Sequence, residues 1–150
     1  MTTTTLVPGT RTALTTTALN SLASATYVSA GTIDLSAIDP VECLIEVSVT
    51  PGTVSGNKQI AAFAKASTDN SNFTTGPESG TTTTDEPDLY LLGVLPVNTN
   101  STAQTKIFSI ANALGFVPPY CKIIIKNDSG AALAASGHSV YYTPVTVATA

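Results

Sequence analysis

The feature that most constrains the fold of this 150-residue chain is a strict alternation of side chains along residues 41–50. Successive side chains of a strand point to opposite faces, so alternation predicts a half-buried antiparallel strand. The side chains predicted to face the core are Val41, Cys43, Ile45, Val47 and Val49. Pro51-Gly52 then ends the run with a turn signal. The sequence therefore favours a sheet with one solvated face.

Seven further segments have strand patterns and are separated by turn-forming residues. All eight predicted strands are residues 27–30, 32–35, 41–50, 58–67, 89–97, 104–110, 120–127 and 138–147. In residues 104–110, Ile107 and Phe108 are the candidates to face inward, and residues 111–115 favour one helical turn or a loop. Closely spaced strands without a long helix predict an all-β fold, a single antiparallel β-sandwich or jelly-roll-like domain.

The composition agrees with this fold class and excludes several functions. The chain has 26 Thr and 14 Ser but only 6 basic and 10 acidic residues, for a net charge of −4. Thr is β-branched and suits a pleated surface. An acidic chain with dispersed basic residues lacks the positive surface that nucleic-acid binding requires. No apolar run approaches the roughly 20 residues of a membrane span, and residues 1–6 do not resemble a signal peptide, so we expect folding in a reducing cytoplasm.

The sequence offers few groups for catalysis or metal binding. Cys43 and Cys121 lie on apolar strand faces and are expected to be buried thiols without a bridge. His138, the one histidine, is expected to be exposed or locally hydrogen-bonded. Glu42 and Glu46 could pair on one strand face, but surface charge is the simpler interpretation. We expect neither an enzyme nor a cofactor, and interpret the acidic residues 85–88 as a solvated turn rather than a calcium site.

Two segments depart from the strand pattern. Residues 1–24 begin with a Thr-rich stretch and Leu6-Val7-Pro8-Gly9, which predicts an extended N-terminal arm before a β-sandwich domain at residues 25–150. Residues 68–87 form a long polar loop, and loops of this length are often functional. With tyrosines nearby, this loop leaves a glycan-binding module open as an alternative, although the chain has no Trp.

Three stretches resemble one family of small structural proteins from tailed-bacteriophage virions. The first is Pro87-Asp88-Leu89-Tyr90-Leu91-Leu92-Gly93-Val94, and the second is Ile107-Phe108-Ser109-Ile110-Ala111-Asn112-Ala113-Leu114-Gly115. The third runs from Ile123 to Leu133, after Val117-Pro118-Pro119. Residues 58–67, followed by a polar loop, fit the same pattern. The resemblance covers residues 41–145.

The resemblance implies a non-enzymatic decoration (cement) protein on the capsid exterior, assembled in the host cytoplasm. Such proteins commonly form homotrimers and reinforce contacts between subunits of the major capsid protein, often through an N-terminal arm. The partner-contact candidates on this arm are Leu6, Val7, Pro8 and Arg11. A position at the neck, tail or fibre of the virion is the alternative within the same class.

Overall fold

The computed structural model describes residues 3–149, and in that range ten strands and one short α-helix form two antiparallel sheets. The strands of the first sheet are β1 (Thr4–Pro8), β2 (Thr12–Thr15), β4 (Glu42–Val49), β8 (Gln104–Ser109) and β10 (Ser139–Thr149). Those of the second are β3 (Thr26–Asp34), β5 (Gln59–Ser67), β6 (Ser79–Gly80), β7 (Tyr90–Pro96) and β9 (Tyr120–Asp128). Helix α1 (Ile110–Leu114) follows β8.

The two sheets pack face to face, so the prediction of an all-β sandwich is confirmed. The first sheet has the order β1-β10-β4-β8, with β2 also paired to β10, and the second has the order β6-β3-β9-β5-β7. The chain changes sheet at each connection from β2 to β5 and again from β7 to β10. Most paired strands are therefore far apart in the sequence, and the core contains residues from both the N-terminal and the C-terminal half of the chain.

The alternation in residues 41–50 places the core as predicted, except at its first residue. Cys43, Ile45, Val47 and Val49 are fully buried between the sheets. Val41 is 49% exposed, so its predicted inward position is wrong. It precedes β4, and its amide donates to the carbonyl of Val145 at the end of the sandwich, where no opposing sheet covers it.

The register of β8 decides which of two adjacent apolar residues is buried. Phe108 lies opposite Ile45 and faces the core, whereas Ile107 lies opposite Glu46 and is 57% exposed. The expectation that Ile107 faces inward is therefore wrong, because side chains alternate and β8 must match the buried positions of β4. The sequence alone did not contain this pairing.

A glycine and a serine shape the backbone at two places. Gly31, which separated two predicted strands, instead lies within the single strand β3 at a bulge, with φ 133°. This φ favours glycine, and a Cβ on Gly31 would also stand 3.0 Å from the Leu14 side chain, closer than ordinary contact. Ser109 caps α1 by accepting a hydrogen bond from the Asn112 amide, and Gly115 ends the helix at φ 79°.

The N-terminal segment lies along the edge of the first sheet. Strand β1 pairs with residues 145–149 of β10, and β2 pairs with residues 140–142. Since β4 pairs with β10 only as far as Val145, β1 and the end of β10 form a two-stranded ribbon beyond the sandwich. Residues 1–2 of the predicted arm lie outside the described residues. The division into residues 1–24 and 25–150 stays a prediction.

Candidate functional site

His138 is a structural residue in this fold. It is buried, and its Nδ1 accepts a hydrogen bond from the Thr50 amide at 3.2 Å. Its Nε2 lies 2.9 Å from the Ala134 carbonyl, which can only accept, so Nε2 is the donor in this contact. Both ring nitrogens are engaged, and neither is available to activate a nucleophile.

The two cysteines are buried thiols on facing strands of the core. Burial, with a smaller contribution from Glu42, raises the pKa of the Cys43 thiol to about 12. Burial also raises the pKa of Cys121 to about 12, with a further contribution from Cys43. A thiol with such a pKa is a poor nucleophile at neutral pH. Within residues 3–149 there is also no group of three or more His, Cys, Asp or Glu side chains arranged to hold a metal ion.

The carboxylates of Glu42 and Glu46 are each engaged by neighbouring groups of the chain. Glu42 accepts hydrogen bonds from the Cys43 amide at 2.7 Å, from the Ala111 amide at 3.0 Å and from the Ser109 hydroxyl. It thereby joins β4 to the first turn of α1. Glu46 binds Arg11. Neither carboxylate is placed to act as an acid or base on a ligand.

The outer face of the second sheet is covered by residues 68–88, which include the long loop predicted from sequence. Glu78 in this segment binds Lys65 at 2.7 Å and Lys122 at 2.9 Å. Glu86 binds Lys126 at 2.7 Å and accepts a hydrogen bond from the Tyr27 hydroxyl. Three of the chain's six basic residues are therefore neutralised on this face. The acidic residues 85–88 form a 3-10 turn held by one of these ion pairs.

No segment of comparable size lies over the outer face of the first sheet within the described residues. The registers place on this face a mixture of apolar and hydroxyl side chains. Its apolar and hydroxyl members include Leu6, Pro8, Ala13, Leu44, Ser48, Thr105, Ile107, Ser109, Tyr141, Thr143 and Val147, and the buried Val145. Its carboxylates are Glu42 and Glu46, and each of them is bound by other groups of the chain. This face is therefore low in free charge, a property of interface cores.

The ribbon beyond the sandwich contains Leu6, Val7 and Pro8, the three apolar partner-contact candidates from the sequence. Leu6 is 68% exposed and lies opposite Val147, itself exposed. Val7 is also exposed and, being one residue further along β1, points to the other side of the ribbon. Pro8 ends β1 and is exposed as well. An isolated two-stranded ribbon is marginally stable in water. Because it has apolar residues on both sides, packing against a neighbouring protein would bury apolar surface and stabilise it.

Arg11, the fourth candidate, is engaged within its own chain. Its Nη2 lies 2.5 Å and its Nε 3.2 Å from the two carboxylate oxygens of Glu46. The guanidinium also stacks over the Tyr141 ring, 3.3 Å from its centroid. The Glu46 hydrogen bonds raise the pKa of Arg11 and outweigh the opposing effect of desolvation. Sequence analysis missed this trio because its members come from the β1–β2 connection, β4 and β10, which are far apart in the chain. Arg11's contact with a partner stays a prediction.

A shallow cleft of about 330 Å³ lies at one end of the sandwich. Its aromatic lining consists of Phe73, Tyr90 and Phe116, and Phe116 is half exposed. The adjoining turn is organised by Asp69, which accepts hydrogen bonds from the Asn72 and Ser71 amides and from side chains. Phe73 and Phe116 were not selected from the sequence, because nothing in their local patterns brings the two together.

The wider comparisons do not connect the chain to a family. No family model and no curated protein matches it. Among solved structures, a chain from Desmodium yellow mottle tymovirus is similar over 100% of this chain and 89% of its own, with 8% sequence identity and a TM-score of 0.45. At that score the likeness decides neither fold nor function. In residues 3–149, no helix has the length and apolar character needed to cross a membrane.

Proposed function

We propose that this protein is a non-enzymatic structural component of a virion, a decoration protein on the exterior of a tailed-bacteriophage capsid. The observation that carries the proposal is the combination of the exposed apolar ribbon with the open, charge-poor outer face of the first sheet. Leu6 and Val147 on the ribbon and Ile107 on the sheet supply exposed apolar area on one side of the domain. Its partner would be the major capsid protein.

We infer that the strand order is that of a jelly roll, which supports the proposal. With β1 and β2 counted as one interrupted strand and the two-residue β6 set aside, eight strands remain. In chain order they form the sheets 1-8-3-6 and 2-7-4-5. This is the order of a double-sheet jelly roll, an architecture that occurs in viral capsid domains, lectins and cupins. The lack of a metal-binding cluster in residues 3–149 separates the chain from cupins that bind metal ions.

Attachment by burial fits the chemistry of this side of the molecule. Each square ångström of apolar surface removed from water contributes about 25 cal/mol. Contacts made by linked subunits add, so in a symmetric oligomer a modest area per subunit would be sufficient for firm attachment. A homotrimer would present three ribbons to the capsid together. The Arg11–Glu46 pair leaves no unpaired charge to desolvate at the centre of the face.

The test is attachment of variant proteins to particles. Deletion of residues 2–11 and the single change Leu6→Asp are each expected to remove the protein from purified particles, measured as copies per particle by quantitative mass spectrometry. Thr99→Asp, at an exposed turn between β7 and β8, is the matched control and should keep wild-type occupancy. Full occupancy after the deletion would refute the attachment model. A copy number matching a single ring would place the protein at the neck or tail instead.

The aromatic cleft favours one second candidate, a glycan-binding module. Phe73, Tyr90 and Phe116 offer apolar ring faces, and the exposed Thr68 offers a hydroxyl group beside them. Isothermal titration or a glycan array with the isolated protein tests this function. Binding that Phe116→Ala abolishes would support it, whereas no binding at millimolar glycan would eliminate it.

A further inference from the structure

The outer face of the second sheet is apolar beneath residues 68–88, which we call the strap. Tyr27, Ala61, Phe63, Leu89 and Ile124 form a second buried cluster on this face, separate from the core between the sheets. Strand β5 is consequently buried on both sides. The strap follows β5 directly and returns the chain to β7, so its removal would expose this second cluster to water.

Two lysines under the strap would repel each other if the strap were absent. Lys65 on β5 and Lys122 on β9 are directly opposite in the register, and like charges in that position destabilise a sheet. Lys65 is only 6% exposed. Glu78 supplies the counter-charge, with one oxygen 2.7 Å from Lys65 and the other 2.9 Å from Lys122. The Gly76 carbonyl accepts a further hydrogen bond from Lys65 at 3.2 Å.

A second carboxylate fastens the far end of the strap. Glu86 lies 2.7 Å from the Nζ of Lys126 and accepts a hydrogen bond from Tyr27. Lys126 is also 3.4 Å from Asp128 and lies over the Tyr27 ring. The strap is thus held at its middle by Glu78 and near its C-terminal end by Glu86, each bound to a lysine on β9.

Backbone pairing between the strap and the sheet is sparse. Strand β6 pairs with β3 at only two positions, Tyr27↔Gly80 and Val28↔Ser79. The Thr74 amide donates to the Ala66 carbonyl at 3.0 Å close to the start of the strap. Most other strands are joined by six or more paired positions. The strap is therefore attached largely by side chains and is the part of the second sheet that can open locally.

We propose that the strap is an acid-sensitive cover, which opens when Glu78 loses its negative charge and exposes the apolar cluster beneath it, with the Glu86–Lys126 pair as its second attachment. The open state leaves Lys65, Lys122 and Lys126 beside an exposed apolar face. The rest of the sandwich keeps its pairing, because the core between the sheets contains no residue of the strap. This inference stands independently of the proposed virion role.

The charges around Glu78 determine the direction of the response. Desolvation raises its pKa, but hydrogen bonds from Lys122 and Lys65 outweigh that effect and leave the pKa below its ordinary value of 4.5. A carboxyl group with a lowered folded-state pKa stabilises the closed form above its unfolded pKa. The stabilisation that the charged Glu78 gives to the closed form is lost as the pH falls through its folded-state pKa. Opening is therefore expected on the acid side of pH 4.5.

Hydrogen exchange of the full chain, followed by mass spectrometry, tests the cover. The variants are Glu78→Gln, Glu86→Gln and the double change, each retaining side-chain size while removing charge. Asp85→Asn is the matched control, because Asp85 is an exposed carboxylate of the same strap that forms no ion pair within residues 3–149. Exchange is compared in peptides of the strap and of β9, after correction for the intrinsic effect of pH. Binding of an apolar dye reports exposure of the cluster.

Glu78→Gln is expected to increase strap exchange about three- to tenfold at neutral pH, since Glu78 is partly solvated and its ion pairs are screened. The double variant should exceed either single one, bind the dye at neutral pH and lose most of the acid response. The wild type should reach the same state in acid, whereas Asp85→Asn behaves as wild type. Unchanged strap exchange in the double variant, or exchange that rises equally in β9, would overturn the proposal.

Discussion

Ile45 and Ile107 allow the assignment of the two faces of the first sheet to be tested with one substitution. Both are isoleucines, and they lie on the neighbouring strands β4 and β8. Ile45 is opposite Phe108, and Ile107 is opposite Glu46 at the next position of the register. Ile45 is fully buried in the core, whereas Ile107 is 57% exposed. Replacing each by Ala removes the same atoms from the same sheet. Differences in stability then report burial rather than chemistry.

The two substitutions should differ clearly in free energy of unfolding. Ile45→Ala leaves a cavity in the core and is expected to cost about 2–5 kcal/mol. Ile107→Ala removes a side chain that buries less than half of its surface, and full burial of Ile contributes about 1.5–3 kcal/mol, so the expected cost is about 1 kcal/mol or less. In a domain of this size the midpoint of thermal unfolding should fall by about 4–20 °C for Ile45→Ala and by a few degrees for Ile107→Ala.

Urea denaturation followed by circular dichroism at 25 °C measures both values. Equal slopes with urea would show that neither variant alters the surface exposed on unfolding. Equal losses of stability for the two variants would refute the register of β8 against β4, and with it the description of an open outer face. Particle attachment is a second readout, because Ile107→Asp should lower occupancy without the unfolding expected of Ile45→Asp.

Three further outcomes are expected from the structure. Glu42→Ala removes the acceptor that joins β4 to α1 and should cost about 1–3 kcal/mol in urea denaturation, with faster hydrogen exchange confined to α1 and its neighbours. The Cys43 and Cys121 thiols, with pKa values raised to about 12, should resist a disulfide reagent in the native state and react fully in denaturant, and reaction in the native state would show that the core opens. Hydrogen bonds from the Asn72 and Ser71 amides hold the pKa of Asp69 well below its ordinary 3.8. The charged Asp69 therefore stabilises the folded state above pH 3.8, and this stabilisation is lost as the pH falls through the lowered pKa. Asp69→Asn should therefore reduce the acid dependence of the urea midpoint, and an unchanged dependence would contradict this assignment.

The fold class and the core of the regular strands were predictable because the signals are local. Alternation in residues 41–50 identified four of the core residues of β4, and Cys121 of β9 was expected to be buried, as it is. The helical turn α1 was one of the two structures that the sequence allowed for the short segment ending at Gly115. These features depend on near neighbours in the chain, so the sequence contains the necessary information.

The interaction surfaces were only partly predictable, because they depend on pairing between distant strands. Leu6, Val7 and Pro8 were identifiable as an apolar segment in a polar stretch, but their ribbon with the end of β10 was not. The bond between Arg11 and Glu46 joins residues 35 positions apart. The strap was visible as a long loop, yet its fastening to lysines on β5 and β9 required the register of the second sheet.

The sequence by itself determined an all-β chain with a charge-poor surface, buried thiols and no obvious catalytic set. Residue type and period-two alternation are sufficient for those properties. Only the tertiary structure decided which apolar side chains remain exposed, and that one outer face is open while the other is covered. The reason is physical: a shift of one residue in register moves every side chain of a strand to the opposite face, and register is set by strands far apart in the chain.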